Sequence, residues 1–251
     1  MNIHSRSSVL CIMTIYNEIE YLPYKLKFCQ ENNLDLYIID NISDDGSWEW
    51  LQENKVPSHR FDTDGAFSLG ILQEEIVRTI HTIKPDWVIY NGCDLFILTE
   101  KNLYDEIMEA DKNGFNIIKM DVLNMFNTGE QHQKNPFETY FYYKLIQPNI
   151  KLIHKYQDSI RYVADAVILP DENILQVEGC MVNYGSTKSK EKRNITLERR
   201  KKAWDLGEPL AHGTHYLVGN NQDWIWEKAD LLDIRASKYN TMIHKLIDLM
   251  Q

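Results

Sequence analysis

Three short polar clusters hold most of the chemistry open to this chain of 251 residues. Tyr16-Asn17-Glu18 follows an apolar run from Ser8 to Thr14, and Asp40 to Gly46 (Asp-Asn-Ile-Ser-Asp-Asp-Gly) follows Leu34 to Ile39. Asn91-Gly92-Cys93-Asp94 follows Asp86 to Tyr90. Carboxylates and amides of this kind suit a ribose, the edge of a base or a divalent cation. Asp40 is placed to accept hydrogen bonds from a nucleoside, and Asp94 to ligate a hard or borderline metal through oxygen. Plainer roles exist for both, Asp40 bonding the amides of its own turn and Asp94 capping the segment after it. No GxGxxG follows the first apolar run and no GxxxxGK occurs, so a Gly-rich phosphate cradle is not how this half would hold a nucleotide.

A second feature is electrostatic. The chain carries a formal charge of −10, yet Ser186 to Lys202 holds Lys188, Lys190, Lys192, Arg193, Arg199, Arg200, Lys201 and Lys202 against only Glu191 and Glu198. Such a patch can hold an anion such as a diphosphate, a lipid phosphate or an acidic glycan. The plainer reading is a helix with a solvated basic face. The acidity of the rest argues against general nucleic-acid binding.

The elements that position these clusters come from periodicity. Unbroken apolar runs read as buried strands: Ser8 to Thr14, Leu34 to Ile39, Asp86 to Tyr90 and Phe115 to Met120. Between them Leu22, Leu26 and Cys29, then Leu69, Leu72, Ile76, Ile80 and Ile83, then Leu103, Ile107 and Ala110 recur at helical spacing. Trp48 and Leu51 suggest a short helix capped by Asp44 or Asp45, and His59 to Phe61 a short extended piece. This alternation predicts an α/β fold, a mostly parallel central sheet with helices on both faces. In such sheets ligands sit at the C-terminal strand ends, where all three polar clusters fall. The second half is less regular. Strands are expected at Thr139 to Leu145, Ile150 to His154, Arg161 to Leu169 and Val177 to Tyr184. A basic helix from about Lys188 to Asp205 and helices at Trp224 to Leu232 and Ala236 to Met250 complete the expectation. With no repeat and no linker, one domain over 1–251 is expected, 1–125 forming a nucleotide-binding half and 126–251 an acceptor-side half.

The longest apolar run is too short to cross a bilayer and no small-residue cleavage site comes after it. The four cysteines have no paired short spacing, so a reduced, cytoplasmic protein is expected.

The same residues carry a resemblance. Thr14-Ile15-Tyr16-Asn17-Glu18, Ile39 to Ser47, and Asp86 to Asp94 resemble, in order and spacing, the strand ends of family 2-type glycosyltransferases of the GT-A (Rossmann-like) fold. The likeness extends loosely to Asn183-Tyr184-Gly185 and Ser189 before the basic helix. It implies transfer of a sugar from a nucleotide diphosphate, a UDP-sugar by default, to a hydroxyl of a glycan or lipid-linked acceptor, with peripheral contact to the inner membrane allowed. Thr14, Tyr16, Asn17, Glu18, Asp40, Asn41 and Asp45 would then face the donor's base and ribose. Gly92 and Asp94 would stand in a DxD-type motif contacting the diphosphate through Mg²⁺ or Mn²⁺, a Lewis acid for the departing group. Gly92 replaces the first Asp of that motif and Asn183 replaces a His. His212 and His215 are therefore candidate replacement ligands beside Asp94, and Lys188 and its basic neighbours are candidates to neutralise charge instead. An inverting transfer needs a base, for which Asp165, set in an apolar strand, and Glu178 are the candidates. Two other readings use the same residues, a catalytically silent nucleotide- or carbohydrate-binding module and a nucleic-acid-modifying sugar transferase.

Overall fold

A computed structural model of the chain describes residues 7–126, 137, 142–146, 151–163, 166–207 and 232–250. The apolar runs become strands and the periodic segments helices: β1 (Val9–Ile15), α1 (Leu22–Glu31), β2 (Asp35–Asp40), α2 (Ser47–Glu53), β3 (Ser58–Arg60), α3 (Leu69–Ile83), β4 (Trp87–Tyr90), β5 (Leu95–Thr99), α4 (Leu103–Lys112) and β6 (Ile117–Met125). Next along the chain come β7 (Tyr142–Ile146), β8 (Ile153–Lys155), β9 (Arg161–Val163), β10 (Ala166–Ile168), β11 (Ile174–Asn183), a 3-10 turn at Gly185–Thr187, α5 (Lys190–Asp205), β12 (Leu232–Asp233) and α6 (Asn240–Met250).

The α/β expectation holds. β4, β1, β2 and β3 lie side by side in that order, every pair parallel, so their C-terminal ends share one edge. β8 joins β4 antiparallel and β6 antiparallel, and β11 runs parallel with β6. The C-terminus of β11 therefore emerges at the same edge as those of β1, β2 and β4. β5 reverses direction after Asp94 and pairs antiparallel with β11, Asn183 opposite Leu95. β1 is buried almost throughout, Cys11, Ile12 and Met13 being fully inaccessible, which requires a packed layer on each face of the sheet. Trp87, Val88 and Ile89 of β4 extend the same core.

Three differences from the sequence reading stand out, and one further expectation lies outside the described residues. β5 was not expected, because Asn91 to Asp94 reads as the end of a strand and the five residues after it are too short a run to show a period. The run from Arg161 to Leu169 is not one strand: β9 and β10 pair with each other antiparallel, Ala166 opposite Val163. The N-cap of α2 is Gly46, at φ +93°, while Asp45 reaches past it to accept from Ser47 N–H at 3.0 Å. The helix expected over Trp224 to Leu232 falls outside the described residues up to 231, and Leu232 itself is in β12. Among the described residues no helix is long and apolar enough to cross a membrane.

Candidate active site

The ends of β1 and β2 are stapled to each other by the polar residues that come after them. Asn17 Nδ2 donates to Asp44 Oδ1 at 2.7 Å, and Asp44 N–H returns a bond to Asn17 Oδ1 at 2.9 Å. Ser43 Oγ accepts from Asn17 N–H, Ser47 Oγ from Glu18 N–H and Asp45 Oδ2 from Ile19 N–H. The acidic turn thus shapes the loop that presents Glu18. Backbone conformation tells the same story. Asn17, Ile42 and Asp64 all have φ near +55° in loops at this edge, a region that costs a β-branched residue such as Ile42 energy. Among the described residues the other three non-glycine positive-φ residues, Asn33, Lys55 and Lys84, sit at helix C-termini, where that conformation is ordinary.

Asp40 lies at the heart of this scaffold and is fully buried. It accepts from Ser43 N–H and from Arg60 Nε at 3.0 Å, and Arg60 also donates to Ser43 O. Asn41 is nearly as buried, donating to Phe61 O and Thr63 Oγ1 and accepting from Thr63 and Arg199.

The basic segment supplies the other wall. Lys188, one residue before the Ser189 N-cap of α5, places its ammonium between two carboxylates, 2.8 Å from Asp94 Oδ2 and donating to Glu18 Oε1. Lys192 donates to Asn17 O and pairs with Glu20 at 2.9 Å. Arg199 lies 3.5 Å over the ring of Tyr16 and donates to Asn41 Oδ1, Gly65 O and Ala66 O. Lys202 donates to Asp64 O. Along the helix, these contacts fall on the ends of β4, β1, β2 and the loop after β3, which is the order of the strands in the sheet. Intervals of seven and three residues keep Lys192, Arg199 and Lys202 on one side of the helix, and Lys188 precedes its N-cap in extended backbone. That spacing was the available signal for the docking, and the bare count of basic residues concealed it.

The three central groups respond differently to burial. Burial would depress the Lys188 ammonium, but Asp94 and Glu18 outweigh it and hold it well above its ordinary value. Asp94 is also penalised by burial, and Lys188 reverses this, so its carboxyl titrates below the usual range. For Glu18 burial wins: its pKa is pushed up to about 7 against the pull of Lys188, with Asp94 adding repulsion. Glu18 Oε2 is buried with no hydrogen-bond partner.

Below this cluster lies Lys25, a residue not singled out from sequence. It is fully buried on α1, donates to Leu95 O just past Asp94, and lies 4.5 Å from the centroid of Phe96. Tyr184 N–H donates to Asp94 O at 2.9 Å, fixing the turn from the other side.

Tyr16, Asn17, Glu18, Asp40, Asn41, Asp45, Gly92, Asp94 and Lys188 are thus gathered at one sheet edge, with Thr14 on β1 behind them, opposite Ile39. Glu178 is exposed on β11 beyond Gly179, which pairs with Thr99, the end of β5 remote from Asp94. Asp165, His212 and His215 lie outside the described residues. Among the described residues no group of three or more His, Cys, Asp or Glu is arranged to hold a metal ion.

No protein-family model matches the chain, and no curated protein matches it. Among solved structures it is similar to S. aureus TarS, with a TM-score of 0.46 at 11% identity over 96% of this chain and 53% of that one. TarS 1-349 in complex with UDP-GlcNAc overlaps at TM-score 0.36 and 14% identity, covering 50% of this chain and 37% of that one. A protein described as a nucleotide-diphospho-sugar transferase, from Desulfovibrio desulfuricans G20, overlaps at TM-score 0.36 and 11% identity over 98% of this chain and 97% of that one. The chain spans about half the length of the TarS chain, 53%. None of these overlaps is close enough to carry a residue, a substrate or an activity across.

Proposed function

We propose that the protein is a glycosyltransferase that moves a sugar from a nucleotide diphosphate, a UDP-sugar by default, to a hydroxyl of a glycan or lipid-linked acceptor. The observation that carries this reading is the seating of Lys188 on Asp94 at the C-terminal ends of parallel strands. A cation fixed there by a carboxylate is suited to a diphosphate, at the edge where α/β sheets take their ligands. Tyr16 and Asn17 lie one strand away, within the span of a nucleotide, and would meet the base and ribose, while Asn41, buried and bonded to Phe61, Thr63 and Arg199, would hold the loop behind them. Asp40, being fully buried, would act by shaping that loop.

In the reaction the acceptor oxygen bonds to the sugar's anomeric carbon while the bond from that carbon to the phosphate oxygen breaks. The electron pair leaves with the nucleoside diphosphate, and Lys188 and Lys192 would offset the charge that develops there. The acceptor's proton goes to a base, for which Asp165 is kept as the candidate; Glu178 lies toward the end of β11 remote from Asp94 and is not within reach of the same substrate.

Calorimetric titration of UDP, GDP and CMP into the wild type and Asp94→Ala tests the reading. One nucleoside phosphate should bind the wild type and bind Asp94→Ala at least about tenfold more weakly. Absence of binding by all three would overturn it. Binding with no turnover of any sugar nucleotide, across a panel of glycan and lipid acceptors, would make the protein a binding module instead.

A further inference from the structure

The resemblance to metal-dependent transferases calls for a divalent cation at Asp94, and the residues present do not fit one. A hard cation of the Mg²⁺ type wants near-octahedral oxygen ligands at about 2.1 Å. Here the two carboxylates that could begin such a shell, Asp94 and Glu18, both face the same ammonium. Asn183, where the related pattern has a His, is neutral and engaged: its Oδ1 accepts from Gly185 N–H at 2.8 Å and its Nδ2 donates to Asn124 Oδ1 at 3.0 Å.

The glycines explain how this came about. A Cβ at Gly92 would lie 2.7 Å from Asp94 Oδ1, and one at Gly185 would lie 3.2 Å from Asp94 Oδ2. The carboxylate of Asp94 is folded back into the space both glycines leave, and from there it reaches Lys188. An acid at position 92 and Asp94 in this pose exclude each other. The lost first Asp of the motif and the lysine at 188 are therefore two parts of one arrangement.

We propose that Lys188 takes the place of the divalent cation, so that its ammonium meets the diphosphate directly and nucleotide binding needs no metal. An ammonium has three N–H donors. Asp94 and Glu18 take two of them, and the third is the one for a phosphate oxygen. Asp94 is the anchor, since its backbone is held by Tyr184 and its side chain by the lysine. Glu18, whose Oε2 has no partner, is the carboxylate that gives way when a second phosphate oxygen arrives. The role of Lys188 toward a diphosphate rests on the function proposed above, whereas the exclusion of a metal by Lys188 does not.

The experiment has two arms. Free Mn²⁺, followed by electron paramagnetic resonance, is titrated with wild type, Lys188→Ala and Asp94→Asn. The wild type should leave the Mn²⁺ signal unchanged, and Lys188→Ala, with both carboxylates released, should bind it. Stoichiometric binding to the wild type that Asp94→Asn abolishes would overturn the proposal. So would Lys188→Ala binding no more Mn²⁺ than the wild type.

In the second arm UDP is titrated calorimetrically in EDTA and in Mn²⁺. Wild-type affinity should be the same in both. Lys188→Ala should lose about 10- to 100-fold in EDTA, while its near-ultraviolet circular dichroism, unchanged from the wild type, shows that the fold is intact. A requirement for Mn²⁺ in the wild type would overturn the lysine's role. Absence of UDP binding under every condition would remove the donor reading and leave the Mn²⁺ arm to decide the rest.

Discussion

Two acid–base clusters sit on neighbouring strand ends of one sheet, and they are built on opposite terms. Around Asp40 everything is matched: the carboxylate is sealed, takes the Ser43 N–H and the Arg60 guanidinium, and leaves no acceptor idle. Around Lys188 one ammonium faces two carboxylates, one oxygen has no partner, and Glu18 is held near neutrality by burial. A buried charge that is fully paired belongs to the architecture, and one left short of partners is available to a ligand. By that measure Asp40 has the surroundings of a scaffold residue, and the Glu18–Lys188–Asp94 cluster is the one proposed to meet the donor, although both were read from sequence as donor contacts.

The widest gap between the clusters should appear on cutting each one. Asp40→Ala strands Arg60 and frees the Ser43 amide, and should lower stability by about 3 kcal/mol in denaturant unfolding. A loss under about 1 kcal/mol would place Asp40 with the other cluster.

Glu18→Gln should act in the opposite direction. The folded-state pKa of Glu18 is raised to about 7 from 4.5, so the native state favours the proton. That stability is fully present below pH 4.5 and is lost as pH rises to about 7. At pH 8 the glutamine variant should therefore be more stable than wild type by about 2 kcal/mol, the difference closing toward pH 4.5. His154 would mask part of this in the wild type. It is buried on β8, bonded to Tyr162 Oη, and burial pulls its pKa down to about 4 from 6.5, so its contribution is lost as pH falls through that window. Measuring Glu18→Gln on a His154→Gln background separates the two slopes. A pH-independent difference would mean that Glu18 is as well paired as Asp40.

The smallest effect on stability belongs to Gly92→Ala. The new methyl meets only the carboxylate end of Asp94, which must turn aside, so the cost should be about 1 kcal/mol. The displaced carboxylate should nonetheless weaken its hold on Lys188, seen as a lowered Lys188 Nζ pKa by NMR. An unchanged lysine would show that the fold-back of Asp94 is not what seats it.

Much of this was legible in advance. The parallel block and the three polar strand ends announced themselves because unbroken apolar runs stop abruptly at Tyr16, Asp40 and Asn91. The satisfaction of Asp40 was hidden, since its partner Arg60 comes from the next strand, twenty residues on. The docking of α5 was hidden for another reason. Its contacts with the sheet edge are made by charge, so no apolar stripe marked the face that packs, and a basic run looked like one bound for water. Lys25 escaped notice because a buried lysine among apolar helix positions has the same spacing as an exposed one.

The way α5 lies across the sheet makes it sensitive to something composition does not record. Lys192, Arg199 and Lys202 lie on one side of α5, with Lys188 just ahead of its N-cap, and together they reach across the ends of several strands. Deleting one residue between Lys192 and Arg199 would turn everything downstream by about 100°. Lys188 and Lys192 would stay seated, while Arg199 would swing off Tyr16 and Lys202 off its loop. A helix just as basic would then be in phase with half the sheet and out of phase with the other, like a key cut one notch short.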